Sequence, residues 1–552
     1  MSQVKEKATL LTALTASLVC LLLYLPVLNY GFINFDDPEY VLNNPVIRHL
    51  DLNTLYQSFF QSHVGWWMPL TWLSLAIDYQ FWGLNPLGYH LTNIVFHAAN
   101  TGLVVLIADG LLRQARGVNG ESSNGLPEGG KYSGHYYAAI LVFAGLCFGA
   151  HPLRVESVAW VTERKDVLNG FFAFSSILFY LHYAKRKDMG ITGKQAGRFY
   201  ALSLLCFVCS LMAKSVSVVL PAMLLVLDWQ PLRRMPNRSF RQLILEKWPF
   251  FAASVLITLF TFFFAAQSRY LVTYEAFPLS QRIAVSGNAI WEYWRMLLVP
   301  VGLSPFNVIP DPIPGSYTLK ASLVSLALLG IFFSGKVPRL SACMLCFILP
   351  LLPVLAFFQN GDQSYADRFT YLPSLSPAIF LALVLFTGKG VAGKLVNRRL
   401  VIVAAAIVVM IFMVATYRQQ GVWRSPESFW TRIIQVEPLA IIYKERGKYY
   451  HSEGRYAEAV ADFTAALGMI TPTLKPYEYN FYAFRGEALR GAGRYEDAVA
   501  DFATAISMYP HPAYFYHRGL ALKSLGRIGE ADLDFRRSGP DPGQIAWFDR
   551  GN

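Results

Sequence analysis

The chain is predicted to be all-α: a polytopic bundle of about eleven membrane-spanning helices with interfacial helices, followed by a C-terminal α-solenoid. Three observations predict it. Of the 552 residues, 54% are apolar and 15% aromatic, too apolar a composition for a soluble chain of this size. The apolar residues fall in runs separated by short charged loops, and several runs reach the roughly 20 residues that a hydrocarbon core demands. After Tyr417 the hydropathy drops, and a helix-turn-helix pattern of small and aromatic residues begins to recur.

Charge placement orients the bundle. The formal net charge is +12, yet the stretch from Tyr443 to Asn552 holds 14 Lys+Arg against 14 Asp+Glu, so the excess lies in the apolar part. Its basic residues cluster in alternate loops (Lys185-Arg186-Lys187, Arg233-Arg234, Arg238, Arg241, Arg398-Arg399), the positive-inside pattern of a membrane protein and not a polyanion-binding surface. Nucleic acid is therefore not an expected partner. The six cysteines all lie in apolar runs, where they read as small packing residues, and CxxC spacing at Cys206/Cys209 and Cys343/Cys346 is the weaker case for a redox or metal site.

Lys5 and Lys7 precede an apolar run from Ala8 to Leu28 that reads as an uncut anchor with its N-terminus inside. The following loop, Asn29 to about Leu87, carries one Arg and five acids and is placed outside. Within it the segment from Trp66 to Trp82 is expected to lie along the membrane interface. A second span, about Gly88 to Leu112, carries His90, Asn93, His97 and Asn100 on one helical face, as interhelical hydrogen-bonding groups or as a cavity wall. Gly117 to Gly130 reads as an inside linker. Further spans are expected at 135–150, 167–184, 199–213, 215–229, 248–266, 318–334, 340–358, 372–387 and 400–417, with Leu279 to Val299 at the outer interface. With eleven spans the inside loops hold 21 Lys+Arg against 5 acids, the outer loops hold 8 against 13, and the C-terminus falls outside.

Gly447, Tyr450, Gly454, Tyr456, Ala459, Phe463 and Ala466 recur as Gly486, Leu489, Gly493, Tyr495, Ala498, Phe502 and Ala505, and more loosely from Gly519 to Phe535. This is the pattern of the tetratricopeptide repeat, a unit of about 34 residues. Starts near 440, 479 and 512 leave an insertion around Thr471 to Tyr477. The expected domains are 1–422 in the membrane, 423–439 as an interfacial or capping segment, and 440–552 as about three repeats.

Four charged clusters fall on the outer side: Asp36-Asp37; His151 to Asp166 with Arg154, Glu156, Glu163, Arg164 and Lys165; Lys214; and Asp362 with Asp367-Arg368. Solvated headgroup-level charges are the bland reading. Both signs converging on one face also suit a water-poor phosphate site. A hydroxyl attacking a sugar needs a base that takes its proton, and a membrane-edge carboxylate serves; a second carboxylate beside it raises the pKa of one of the pair. A leaving phosphate calls for Arg or Lys, with Arg368 the best placed and Arg154, Arg164 and Lys165 behind it.

Phe35-Asp36-Asp37, the run His151 to Leu168 (HPLRVESVAWVTERKDVL), the run Ala366 to Pro373 (ADRFTYLP) and the C-terminal repeats, in this order, resemble the transmembrane-and-TPR-containing protein O-mannosyltransferase family and its bacterial relatives, within the GT-C class of polyprenyl-phosphate-sugar glycosyltransferases. The resemblance implies an inverting transfer from a dolichyl- or undecaprenyl-phosphate sugar, a membrane lipid, to a protein hydroxyl at the lumenal or periplasmic face. Asp36 or Asp37 would be the base, Arg368 with Arg154, Arg164 and Lys165 would meet the phosphate, and Glu163, Asp166, His151, Glu156 and Asp367 would shape the sugar and acceptor site. No spacing demands a metal, although the acidic pair with Asp166 could hold a divalent ion. Family members usually carry longer repeat arrays than these three. The expected setting is a bacterial inner membrane with the repeats periplasmic, the alternative an ER membrane with the repeats lumenal. Competing functions are transfer to lipid or envelope polysaccharide, a non-catalytic membrane scaffold that recruits proteins through its repeats, and a transporter.

Overall fold

A computed structural model describes residues 2–61, 63–117, 133–191, 193–235, 238–267, 277–358, 363–387 and 397–539. The inside linker expected at 117–130 and Asp362 lie essentially outside these residues. The described chain is helical almost throughout, its strands being Asn307–Val308 paired antiparallel with Gln363–Tyr365. It divides into two units, Met1–Arg424 and Ser425–Asn552.

In the first unit all eleven expected apolar stretches are helical, but they are not alike. Six are long and apolar enough to cross a membrane: Glu6–Asn29, Pro86–Arg113, Val161–Asp188, Lys194–Ala213, Gly315–Phe333 and Arg398–Trp423. Two more cross only as bent pairs, Gly134–Gly149 with Pro152–Ala159 (49°) and Phe240–Glu246 with Trp248–Phe264 (58°). The remaining three, Ser215–Trp229, Pro338–Val354 and Leu375–Leu385, are shorter apolar helices, so among the described residues length and composition support six to eight crossings where eleven were expected. Leu279–Leu298 is not among the spans; its Arg282 donates to Phe277 O (2.7 Å) and Ala356 O (2.9 Å), and its Glu292 pairs with Arg295 and Lys320.

Small residues bring the first helices together, as expected where apolar lipid gives no hydrophobic drive. A Cβ on Gly102 would meet Ser17 Oγ at 2.6 Å, and one on Gly145 would meet Val105 Cγ2 at 2.6 Å and Ala16 Cβ at 3.2 Å. The polar stripe supplies interhelical hydrogen bonds: Asn93 donates to Val158 O and Trp160 O, His97 bonds Gly149 O (3.0 Å) and the Tyr371 hydroxyl (2.8 Å), and Asn100 donates to Val167 O and to the same hydroxyl, each at 2.8 Å. All six cysteines are free, and those of the first and the last apolar pair, Cys20, Cys343 and Cys346, are buried.

The segment from Trp66 to Trp82 packs one part of its surface into the protein and leaves Ile77, Phe81 and Trp82 exposed. Its helix, Pro69–Trp82, buries Thr71, Trp72, Leu75, Ala76 and Asp78, with Trp72 packed on Tyr40 at 4.9 Å between ring centroids. Trp67 and Trp72 are buried, whereas Trp82 is exposed. The amphipathic piece is the preceding helix Leu52–Phe60, which is capped by Asp51 and exposes Leu52, Leu55, Tyr56 and Phe60.

The second unit is three helical hairpins: Ala440–Ser452 with Tyr456–Leu467, Glu478–Gly491 with Tyr495–Met508, and Pro512–Ser524 with Ile528–Ser538. The repeating glycine of each first helix makes room for the phenylalanine of the second, since a Cβ on Gly447, Gly486 or Gly519 would meet Phe463, Phe502 or Phe535 at 2.9, 3.2 or 2.7 Å. Each hairpin is also pinned by a two-pronged ion pair, Arg446–Asp462, Arg485–Asp501 and Arg518–Asp534, every one at 2.7 and 2.8 Å. The helix Pro426–Val436 packs ahead of the first hairpin, where Thr431 accepts from Arg446 and Glu427 from Arg455 and Tyr450.

Candidate functional site

The two adjacent aspartates are built differently. Asp37 is buried and its carboxylate is fully engaged: Oδ2 accepts from Ile33 N–H (2.8 Å), and Oδ1 accepts from Thr162 N–H (3.0 Å) and Thr162 Oγ1 (2.6 Å). Burial pushes its pKa up to about 6 against the pull of those donors. It staples the first loop to the turn ahead of Glu163. The Asp36 carboxylate makes no hydrogen bond or ion pair among the described residues, its backbone carbonyl accepting from Glu39 and Tyr40 N–H, and it lies within electrostatic reach of Lys165, Arg368 and Glu163. Burial raises its pKa, the two cations pull it back, and Glu163 adds to the rise.

The run from His151 folds as short helical turns, Pro152–Arg154, Val155–Ala159 and Val161–Glu163, before the long helix Arg164–Asp188 begins. That doubling back places Glu156, Glu163, Lys165 and Asp166 within one cluster. Glu163 is its hub: Lys165 Nζ stands 3.1 Å from Oε1, Arg368 Nε 3.3 Å from the same oxygen, and Lys214 Nζ 3.4 Å from Oε2. Lys214 also pairs with Asp166, which accepts from Ser157 Oγ at 3.0 Å. Arg368 is held by Glu156 and by Gln363 Oε1 (2.7 Å), and lies over the Phe369 and Trp160 rings at 4.8 and 5.6 Å. Glu156 and Glu163 outweigh the cost of burial and hold the Arg368 pKa high. Lys165 sits over Tyr40 at 4.7 Å.

The cations keep donors in reserve. An ammonium has three N–H bonds and a guanidinium five, so Lys165, with one carboxylate partner, and Arg368, with three partners, each retain two. A small groove adjoins Arg368, lined also by Asp166, Asn169, Lys214, Phe369 and Tyr371 among others. A general base with an open carboxylate, cations with spare donors and aromatic walls can accept a proton and hold an anionic leaving group side by side.

Three predicted residues lie elsewhere. Arg164 is fully buried and points away from the cluster, donating to Asn93 Oδ1, Ser74 Oγ (2.8 Å), Asp78 Oδ2 (2.6 Å) and Tyr89 O (2.8 Å), which commits four of its five N–H groups away from the cluster. Arg154 is buried between the Phe148 and Tyr371 rings and donates to Thr370 and Ser374 hydroxyls. His151 is spent on the backbone, with Nε2 at Leu297 O, Nδ1 accepting from Leu153 N–H, and its ring on Phe412 at 4.4 Å. Asp367 is buried beneath the cluster; burial, then Glu156, lifts its pKa well above the carboxylate range. Among the described residues no three His, Cys, Asp or Glu side chains are gathered closely enough to hold an ion, Asp36, Asp37 and Asp166 included. Lys214 is the residue to which sequence reasoning gave no role. Its signal was a lone lysine in the break between two apolar helices, Lys194–Ala213 and Ser215–Trp229.

The fold and the cluster thus define a multi-helix membrane protein with a buried site of alternating charge and a tetratricopeptide-repeat solenoid. Residues 485–545 match the tetratricopeptide repeat family. Over 465 residues the chain is 23% identical to protein O-mannosyl-transferase F38B6.6 of Caenorhabditis elegans, covering 80% of this chain and 60% of that protein. It is 23% identical over 485 residues to protein O-mannosyl-transferase TMTC3 of Homo sapiens, covering 79% and 48%. The resemblance carried by the ordered motifs is upheld by these relatives. The chain spans 60% of the first, 24% of mouse TMTC2 and 48% of human TMTC3. Among solved structures, ArnT from Cupriavidus metallidurans bound to undecaprenyl phosphate aligns over 96% of this chain and 90% of its own at 14% identity and a TM-score of 0.38, a likeness too slight to fix fold or activity.

Proposed function

We propose that the protein moves a sugar from a polyprenyl-phosphate donor to Ser or Thr hydroxyls of polypeptides, with inversion at the sugar carbon. The observation that carries this reading is the division of labour in the acidic pair: Asp37 is locked by three donors, whereas Asp36 is uncommitted and faces the cations. Asp36 takes the proton of the acceptor hydroxyl as its oxygen bonds to the anomeric carbon. The bond from that carbon to the donor phosphate breaks, and the phosphate leaves with the electron pair toward the unspent N–H groups of Arg368 and Lys165. A single displacement inverts the configuration. The names of the relatives favour mannose as the sugar, and the repeats favour a polypeptide acceptor, because the grooves of such solenoids hold extended peptides. Loop charge favours a periplasmic or lumenal face for the carboxylates, in a bacterial inner membrane in the first case.

The test is mass spectrometry of envelope proteins from cells with the protein, without it, and with Asp36→Asn. Hexose lost from the same Ser and Thr residues in the second and third is the expected result. Glycopeptides unchanged in both sink the reading, and loss confined to a lipid or polysaccharide fraction transfers it to a different acceptor.

A further inference from the structure

At the end of the bundle away from the acidic cluster, a second groove opens among the helices Pro86–Gly117, Arg164–Asp188, Leu220–Trp229, Pro338–Ile348 and Leu375–Thr387. Its separation follows from helix geometry: Ile107, in the groove, lies 14 residues beyond Asn93, which binds Arg164 beside the cluster, and that is about 21 Å along one helix. The groove and the open space at its mouth together amount to about 730 Å³, and its walls are apolar apart from Gln230, Ser376 and Arg339. The Ser376 hydroxyl is used on Cys343 O (3.0 Å) and Pro373 O (3.2 Å). The other two polar groups are not used. The Gln230 side chain, only 9% exposed, makes no hydrogen bond among the described residues, and the half-buried Arg339 guanidinium makes neither a hydrogen bond nor an ion pair among them.

A buried amide and a cation without partners on an apolar channel are costly in a membrane protein unless a ligand satisfies them. The Gln230 position is held from behind by a dense charge network. Asp228, two residues earlier, pairs with Lys247 and with Arg234 (2.9 Å), and Arg234 pairs with Glu246 (2.9 Å). Every cation of that network has its own carboxylate, which leaves Arg339 as the groove's open charge. Lys336, Arg233 and the basic run Lys185-Arg186-Lys187 stand at the same end of these helices, so the local field is positive.

We propose that this groove binds an anionic glycerophospholipid, its acyl chain among Ile107, Leu111, Ile379 and Phe380 and its phosphate between Arg339 and Gln230. It is separate from the donor site and does not depend on the reaction assigned to that site.

The full-length protein, purified in detergent and exchanged with phosphatidylglycerol or phosphatidylcholine of equal chain length, is examined by native mass spectrometry. The wild type is expected to retain phosphatidylglycerol about five-fold over phosphatidylcholine, the ratio that one cation near a phosphate headgroup supplies. Arg339→Gln and Gln230→Leu, at residues whose side chains make no polar contact among the described residues, should each remove that preference while leaving the protein monodisperse. Equal retention of the two lipids by the wild type overturns the proposal, as does a preference that survives both substitutions. Millimolar inorganic phosphate that displaces phosphatidylglycerol completely also overturns it, since the site would then be one for the ion without the chain.

Discussion

Arg368 is bound twice by Glu156: its backbone N–H donates to Oε2 at 2.9 Å and its guanidinium donates to Oε1. One carboxylate therefore fixes both the loop and the side chain proposed to meet the donor phosphate. Glu156→Gln keeps the shape but loses the charge-assisted bonds, worth about 1.5–3 kcal/mol. Sugar transfer should fall about 10- to 100-fold in kcat/KM. Arg368→Lys, which keeps a charge without the fork, should fall between wild type and Arg368→Ala. Single-turnover assays with a synthetic prenyl-phosphate sugar read both.

The acidic pair should separate in two assays. Asp36→Asn is expected to leave the melting temperature within a few degrees and to reduce turnover by about 100- to 10,000-fold. Asp37→Asn presents an N–H to the N–H of Ile33 or to Thr162, where a carboxylate had accepted three bonds, and should cost about 2–3 kcal/mol of stability. A stable Asp37→Asn protein together with an unfolded Asp36→Asn protein would reverse the assignment.

The pH profile carries a sign. Asp36 must be ionised to act as base, and burial lifts its pKa, so activity should fall with decreasing pH above the ordinary carboxylate range. Lys165 pulls that pKa down. Lys165→Met should therefore shift the acid limb to higher pH, and an unmoved limb excludes Asp36 as the titrating base. For Asp37 the linkage acts on folding. Its pKa is higher in the folded state, so the stability it contributes is full below about 4 and falls by about 3 kcal/mol as pH rises through 6. Denaturation measured from pH 4 to 7 should show that decline and lose it in Asp37→Ala.

Much of this was legible in the sequence because it rests on local pattern. The eleven apolar stretches and three hairpins follow from run length and from glycine and aromatic spacing, and the bipartite Arg–Asp pins recur at the same 39- and 33-residue spacings as the repeats. The clustering of Glu156, Glu163, Asp166 and Arg368 was legible as shared sidedness. What sequence could not tell was direction. Arg164 and Lys165 are neighbours, yet one starts the helix facing Asp78 and the other faces Glu163, and Asp36 and Asp37 divide in the same way. Adjacent residues on a helix or turn point about 100° apart, and only tertiary packing decides which one faces the cavity.

Gly170 offers a test of the support beneath the site. A Cβ there would meet Tyr371 Cε1 at 2.6 Å and Asn100 Nδ2 at 3.1 Å. Gly170→Ala should expel the Tyr371 ring, disturb the loop that carries Arg368, and lower kcat/KM by about 10-fold or more with folding retained at a cost of about 1–3 kcal/mol. Tyr371→Phe, which keeps the ring and loses the hydroxyl, should show a smaller effect in the same assay.

In the solenoid the Gly519–Phe535 contact is the tightest of the three, at 2.7 Å from the absent Cβ. Gly519→Val should destabilise the last hairpin by about 1–3 kcal/mol. Hydrogen exchange should quicken across 512–538 and leave the membrane helices unchanged.

The Tyr371 hydroxyl is tied to His97 and Asn100, which sit well inside a membrane-crossing helix, and Arg368 lies three residues from that tether. The loop that carries Arg368 is thus anchored to the interior of that helix. Asn93, one turn nearer the start of the helix, binds Val158 O and Trp160 O just ahead of Thr162, to which Asp37 holds the first loop. One helix therefore serves as a common ruler for both sides of the cluster.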